Sequence, residues 1–216
     1  MLLVTAATAM EIAPLQEKFA GCPDIGFLIT GIGLVDTAHS LTSYLEQNNG
    51  DIAGVINIGV AGAFPGGSIK ILDLCLASSE VIGDLAICFE DHLAPLGSPE
   101  LILHQFFPCQ GGLLDQFQQW CVATGQAIHL GPFVSVNSVS ATKKRGEMLA
   151  ATYKAVSENM EGAAIARVCQ SYDVDWLEIR CMSNMVEDRD TSTWLLAEAI
   201  EKCSDLTAKF LTHYIR

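Results

Sequence analysis

The chain has 216 residues, a net charge of −13 and only 12 Lys and Arg. Half of the residues are apolar and 17% are charged, which excludes a disordered chain. The acidic balance argues against nucleic acid or an anionic membrane as partner, and leaves room for a local basic site that meets one small anion. The length suits one compact domain, residues 1–216, able to bury a full core without staples.

A mean hydropathy of +0.33 raises the question of a membrane span, but no uncharged apolar run of about 18 to 20 residues exists. The longest apolar stretch, 52–64, is interrupted by Gly54, Gly59 and Gly62. The first ten residues lack a basic start and Glu11 follows at once, so no secretory signal is expected. The eight Cys contain no C-x-x-C pair. They read as reduced, mostly buried thiols of a cytoplasmic protein, and neither a metal site nor a Cys nucleophile is expected from their spacing.

In chain order, 2–7 reads as a short apolar strand and 9–19 as a helix, with Pro14 tolerated only in its first turn. Residues 27–30 form a strand, Gly31-Ile32-Gly33 a turn, and 34–47 a helix. Residues 54–59 are a buried strand and 69–81 are β-rich. The stretch 90–112, with Pro95, Pro99 and Pro108, reads as a surface excursion. Helices are expected at 114–124, 142–152 and 160–172, and strands at 128–136, 155–157 and 176–182. A long amphipathic helix, 192–215, is expected to be capped by the cluster 190–193. Near-continuous apolar strands alternating with helices imply an α/β sandwich whose sheet is covered on both faces.

Ligands in such sheets sit where strands end. Four such places carry unusual residues: Thr8-Ala9-Met10-Glu11, Asn57 to Gly62, Ser157 to Gly162, and Met182-Ser183-Asn184. Gly31-x-Gly33 lacks the third glycine of a dinucleotide fingerprint, because position 36 is Asp36. It reads instead as a tight turn through which the backbone approaches a small ligand. The Gly59-Val60-Ala61-Gly62 loop suits either backbone N–H groups facing a ligand or close packing of strand against helix. Taken singly, Glu11 and Glu161 are acids in first helical turns, favoured by the helix dipole whatever the function.

The ordered set of segments resembles the nucleoside phosphorylase superfamily, and in particular its hydrolase branch. Thr8 to Glu11, Asn57 to Gly62, Glu158 to Ala164 and Arg180 to Asn184 occur in that family's order and spacing. Within the branch, Gly131 to Val139 and Ser183-Asn184-x-Val186-x-x-Arg189-Asp190-x-x-x-Trp194 resemble the futalosine hydrolases. The adenine-cleaving nucleosidases carry Asp where this chain has Asn184, and tend to carry a stacking Phe near Val139. The resemblance implies a three-layer αβα sandwich with a mixed central sheet, a nucleoside substrate, no cofactor and no metal. It also implies a homodimer or higher homo-oligomer, and the loop-rich middle is consistent with an interface.

Cleavage of a purine N-glycosidic bond builds positive charge on the ribose and negative charge on the base. The resemblance assigns Glu11 as general base for water, Glu161 as acceptor of ribose hydroxyls, and Met160 as the packing surface for the sugar. It places Val60, Ala61, Gly62 and Val139 around the substrate. Asn184 would donate hydrogen bonds to the base but cannot protonate N7, which points to a 6-oxopurine. Arg189 and Trp194 would meet the carboxylate and ring of a 5′ extension, or else form an Arg189–Asp190 pair and a core Trp. Five Arg, none of them in the glycine loops, favour water over phosphate as nucleophile. The competing functions are a methylthioadenosine or aminodeoxyfutalosine nucleosidase and a non-catalytic nucleoside-binding module.

Overall fold

The computed structural model describes residues 1–48, 51–97 and 103–215. The elements are β1 (Leu2–Ala6), α1 (Ala9–Lys18), β2 (Ile25–Ile29), α2 (Leu34–Gln47), β3 (Gly54–Ala63), β4 (Leu74–Ile82), β5 (Ile87–Cys88), β6 (Leu93–Ala94) and β7 (Phe106–Pro108). There follow α3 (Gly112–Thr124), β8 (His129–Ser135), α4 (Lys143–Tyr153), β9 (Ser157–Asn159), α5 (Gly162–Tyr172), β10 (Trp176–Met185) and α6 (Leu196–Tyr214). Eight strands form one mixed sheet flanked by helices, the sandwich expected from the sequence. All five residues of β1 are buried, which suits a parallel strand covered on both faces.

The sheet turns back on itself. β3 pairs with β1 through residues 54–57, with β10 along 55–63, and with β9 at Gly62 and Ala63. β9 then pairs with β8, β8 with β4, and β4 with β10, closing a ring of five strands. β1 and β2 extend from this ring as an open wing. Small side chains from the ring strands, among them Ala61, Ala63 and Ala77, cluster with Phe133 and Met182. Past Asn57, β3 loses β1 as a neighbour and gains β9, and a crevice opens beyond the strand ends, where α/β sheets bind ligands.

Several elements differ from expectation. Pro14 lies beyond the first turn of α1, where it forgoes a helical hydrogen bond. A Thr8–Glu11 capping box and burial of Ile12 and Leu15 hold the helix regardless. β3 and β10 run on to Ala63 and Met185, past the expected ends at 59 and 182, because each continues the other's ladder through a register shift at Met182/Asn184. The strand expected at 155–157 is displaced to Ser157–Asn159. α5 begins at Gly162, with Glu161 as its N-cap.

The last helix starts at Leu196, not at Ser192. Asp190 caps a separate 3₁₀ turn, Thr191–Thr193. An extended Trp194 and a Leu195 N–H bonded to Ser183 O at 2.9 Å then tie the chain to the end of β10. In the loop-rich middle, β5 and β6 form a hairpin and β7 joins the sheet beside β4. Its residues 98–102 lie outside the described residues. All eight Cys are free, and six are buried. Burial pushes the thiols of Cys75 and Cys203 up to about 12, which makes them inert.

Candidate active site

A cavity of about 350 Å³ opens at the crevice. All ten residues singled out from the sequence line it: Glu11, Asn184, Glu161, Met160, Val60, Ala61, Gly62, Val139, Arg189 and Trp194. They come from the first turn of α1, from β3 and β10, and from the segments after β8, β9 and β10.

Glu11 is fixed from two sides. Its Oε2 accepts from Thr8 N (3.0 Å) and Thr8 Oγ1 (2.7 Å), and its Oε1 accepts from Val60 N (3.2 Å). The Thr8 N bond is one half of the capping box, whose other half is Glu11 N donating to Thr8 Oγ1 at 3.4 Å, so the device that starts α1 also aims the carboxylate. The contact with Val60 N needs Gly59, because a Cβ there would lie 2.6 Å from both Glu11 Oε1 and Arg180 Nη1. That resolves the two readings of the Gly59 loop. Its Val60 N–H and C=O are spent on Glu11 and on Arg180 Nη1 (3.2 Å), and the glycine serves their close approach.

Glu161 and Arg180 form the centre of a buried charge network. Arg180 Nη2 donates to Glu161 Oε2 at 3.2 Å and Nε donates to Glu178 Oε1 at 2.8 Å. Arg180 is 1% exposed. Burial disfavours its charge, but Glu178, Glu161 and Glu11 more than restore it, so its pKa stands above the ordinary value. Glu161 Oε1 accepts from Gly33 N at 3.2 Å. The Gly31–Gly33 turn thus carries its backbone to a carboxylate of the protein, while Ile32 lines the cavity. Positive φ at Gly31 and Gly33, 83° and 91°, makes that turn possible. Burial pushes the Glu161 carboxyl above the ordinary range, against Arg180 and the Gly33 N–H, which draw it down.

Behind this network, a Cβ on Gly162 would collide with both Glu80 Oε1 and Glu178 Oε2, so these two carboxyls face each other. Burial, and then Glu178, push the Glu80 carboxyl well above the ordinary range. Glu178 Oε2 is buried without an assigned donor and lies against the Glu80 carboxyl. Glu178 also accepts from Asn57 Nδ2 at 3.2 Å. Sequence reasoning placed Arg180 within a motif but gave it no role, and it missed Glu80 and Glu178 altogether. Only an acidic residue inside an apolar strand, as in Leu177-Glu178-Ile179, could have signalled them.

At the other end lies Asn184. Its Oδ1 is 2.8 Å from Ser183 Oγ, its Nδ2 donates to Met185 O at 3.1 Å, and the amide lies over Gly62. These contacts orient the amide and leave one N–H for a ligand. Arg189 and Trp194 are neither a structural ion pair nor a core Trp. Arg189 is exposed and Trp194 half-buried, and the Arg189 guanidinium stands 4.9 Å from the Trp194 ring centre. Asp190 bonds Ser192 instead. Among the described residues, no group of three His, Cys, Asp or Glu is arranged to hold a metal ion, and no helix is long and apolar enough to cross a membrane.

Comparison with known proteins gives the family of the chain. The family described as the phosphorylase superfamily matches residues 25–216. Futalosine hydrolase of Thermus thermophilus is 33% identical, over 98% of this chain and 95% of its own. An aminodeoxyfutalosine nucleosidase of Helicobacter pylori is 31% identical, over 83% of this chain and 75% of its own. Among solved structures, a futalosine hydrolase mutant of Helicobacter pylori superposes with a TM-score of 0.84 at 22% identity, over 98% of both chains. A mutant of the Helicobacter pylori MTAN with 5′-methylthioadenosine in its active site gives 0.85 at 23%, also over 98% of both. The chain therefore belongs to the phosphorylase superfamily and, within it, to the nucleosidases that hydrolyse N-glycosidic bonds.

Proposed function

We propose that this chain hydrolyses futalosine, releasing hypoxanthine and dehypoxanthine futalosine, as a step in menaquinone biosynthesis. The observation that carries the reading is the pairing, in one cavity, of two hydrogen-bonded carboxylates at one end with an oriented Asn184 amide at the other. Glu11 positions a water and takes its proton as the water oxygen bonds to C1′. The bond from C1′ to N9 breaks, and its electron pair leaves with the base. Glu161 accepts from the ribose hydroxyls and its charge favours the oxocarbenium-like state, while Met160 packs on the sugar. The free N–H of Asn184 donates to the departing base, whose negative charge strengthens that bond.

Arg180 is spent between Glu161 and Glu178, so the buried arginine is not free to hold phosphate. This supports water as the nucleophile. Arg189 and Trp194 at the mouth suit the benzoate carboxylate and ring on the 5′ side of futalosine. The homologous futalosine hydrolase, similar over nearly its whole length, points the same way. A cytoplasmic location is part of the reading, supported by eight free thiols. So is a homo-oligomer, supported by exposed apolar residues, among them Met10 (70%) and Ile32 (59%), which line the cavity, and Val35 (79%).

The deciding experiment incubates the pure protein with futalosine, methylthioadenosine and inosine and separates the bases by chromatography. Hypoxanthine released fastest from futalosine is expected. Adenine released from methylthioadenosine, with futalosine untouched, would overturn the assignment.

A further inference from the structure

On β3, Gly62 is paired in register with Asn184 of β10 on one side and with Glu158 of β9 on the other. Residues in register project from the same face of a sheet. Gly62 has no side chain, so the floor between these two polar residues is bare backbone, and both line the cavity. Glu158 is only 6% exposed. Its Oε1 accepts from Ser140 N at 2.8 Å and its Oε2 from Ser140 Oγ at 2.5 Å. Arg145 and Asp84 act on it only at longer range. Both donors belong to one residue, and each carboxylate oxygen, able to accept two hydrogen bonds, accepts one, so acceptor capacity remains.

Clamping the Ser140 loop does not require a charge. An amide would serve without the cost of burying a carboxylate. A 6-oxopurine carries a hydrogen on N1 beside an O6 acceptor, whereas a 6-aminopurine carries a lone pair on N1 beside an amine donor. An acceptor at N1 together with the Asn184 donor at the O6/N7 side matches the first pattern and opposes the second.

We infer that Glu158 is a second base-reading residue, which accepts the N1–H of a 6-oxopurine and with Asn184 sets the preference for that base over a 6-aminopurine. The inference rests on the hydrolase reading above and supplies the residue that selects its substrate.

The test compares kcat/KM for futalosine and its 6-amino counterpart near pH 8. Burial pushes the Glu158 carboxyl upward, so an alkaline pH is chosen to favour its carboxylate form. Glu158→Gln keeps both Ser140 bonds but offers the base either a donor or an acceptor. The preference for futalosine should fall at least about tenfold, with little change in thermal midpoint. Ser140→Ala, which loosens the loop but keeps the carboxylate, should slow both substrates alike. An unchanged preference in Glu158→Gln overturns the inference and leaves the futalosine reading standing. A wild-type protein that itself prefers the 6-amino substrate overturns that reading first. Should Glu158→Gln fail to fold, inhibition of the wild type by free bases decides the matter. Hypoxanthine should inhibit at least about tenfold more tightly than 1-methylhypoxanthine, which lacks the N1 hydrogen. Equal inhibition overturns the inference.

Discussion

The two ends of the cavity are built on opposite plans. At the end assigned to water and ribose, each carboxylate oxygen of Glu11 and Glu161 is held by a donor. Thr8 and Val60 hold Glu11, while Gly33 and Arg180 hold Glu161. Behind them Glu178 and Glu80 are fully buried. At the mouth, Arg189 is exposed, Trp194 is half-buried, and Val139 and Leu196 stand partly in solvent. The first end can stabilise charge without reorganising, which is what an oxocarbenium-like state requires. The second can admit substrates of different shape, so specificity can change there without disturbing the chemistry.

That contrast can be broken most directly at Glu11. Glu11→Gln should lower kcat about 10²- to 10⁴-fold while ligand binding stays within about tenfold. Single-turnover rates and calorimetry measure the two quantities. An equal loss in both would make Glu11 a binding residue.

Arg180 tests whether the buried network is a unit. Arg180→Met leaves Glu161 and Glu178 facing each other uncompensated and should cost about 3–5 kcal/mol in urea unfolding. A loss under about 1 kcal/mol would mean that the network relaxes without it.

The pH profile sharpens the same end. The Glu161 carboxyl is raised by burial, so it takes up its proton at a higher pH than an ordinary Glu. If it must be ionised to stabilise the ribose, kcat/KM should fall on acidification beginning above the ordinary Glu range. The same shift acts on stability. The folded chain holds a proton that the unfolded chain releases, so the contribution from Glu161 is fully present below the unfolded pKa. It is lost as pH rises through the folded one.

The smallest effect belongs to the mouth. Arg189→Ala removes an exposed charge and should raise KM for futalosine about fivefold, with inosine unaffected. An equal rise for both would place Arg189 away from the 5′ extension.

The sequence by itself determined the alternation of elements and the candidate residues. β1 is legible because a strand covered on both faces must be apolar throughout. Glu11 is legible because it is an acid in the first turn of a helix that follows a strand, within the ordered set of segments. Asn184 is legible because its amide excludes proton donation to N7. Other features were settled only by the tertiary structure. The start of α6 moved to Leu196 because a long-range bond from Leu195 to Ser183 overrides the local capping signal at Asp190. Arg180, Glu178 and Glu80 joined the site because ring closure brings β10 beside β3 and β4. Periodicity records which face a residue takes, but not which distant strand lies beside it, and a charge can be buried only where that neighbour supplies its counter-charge or proton.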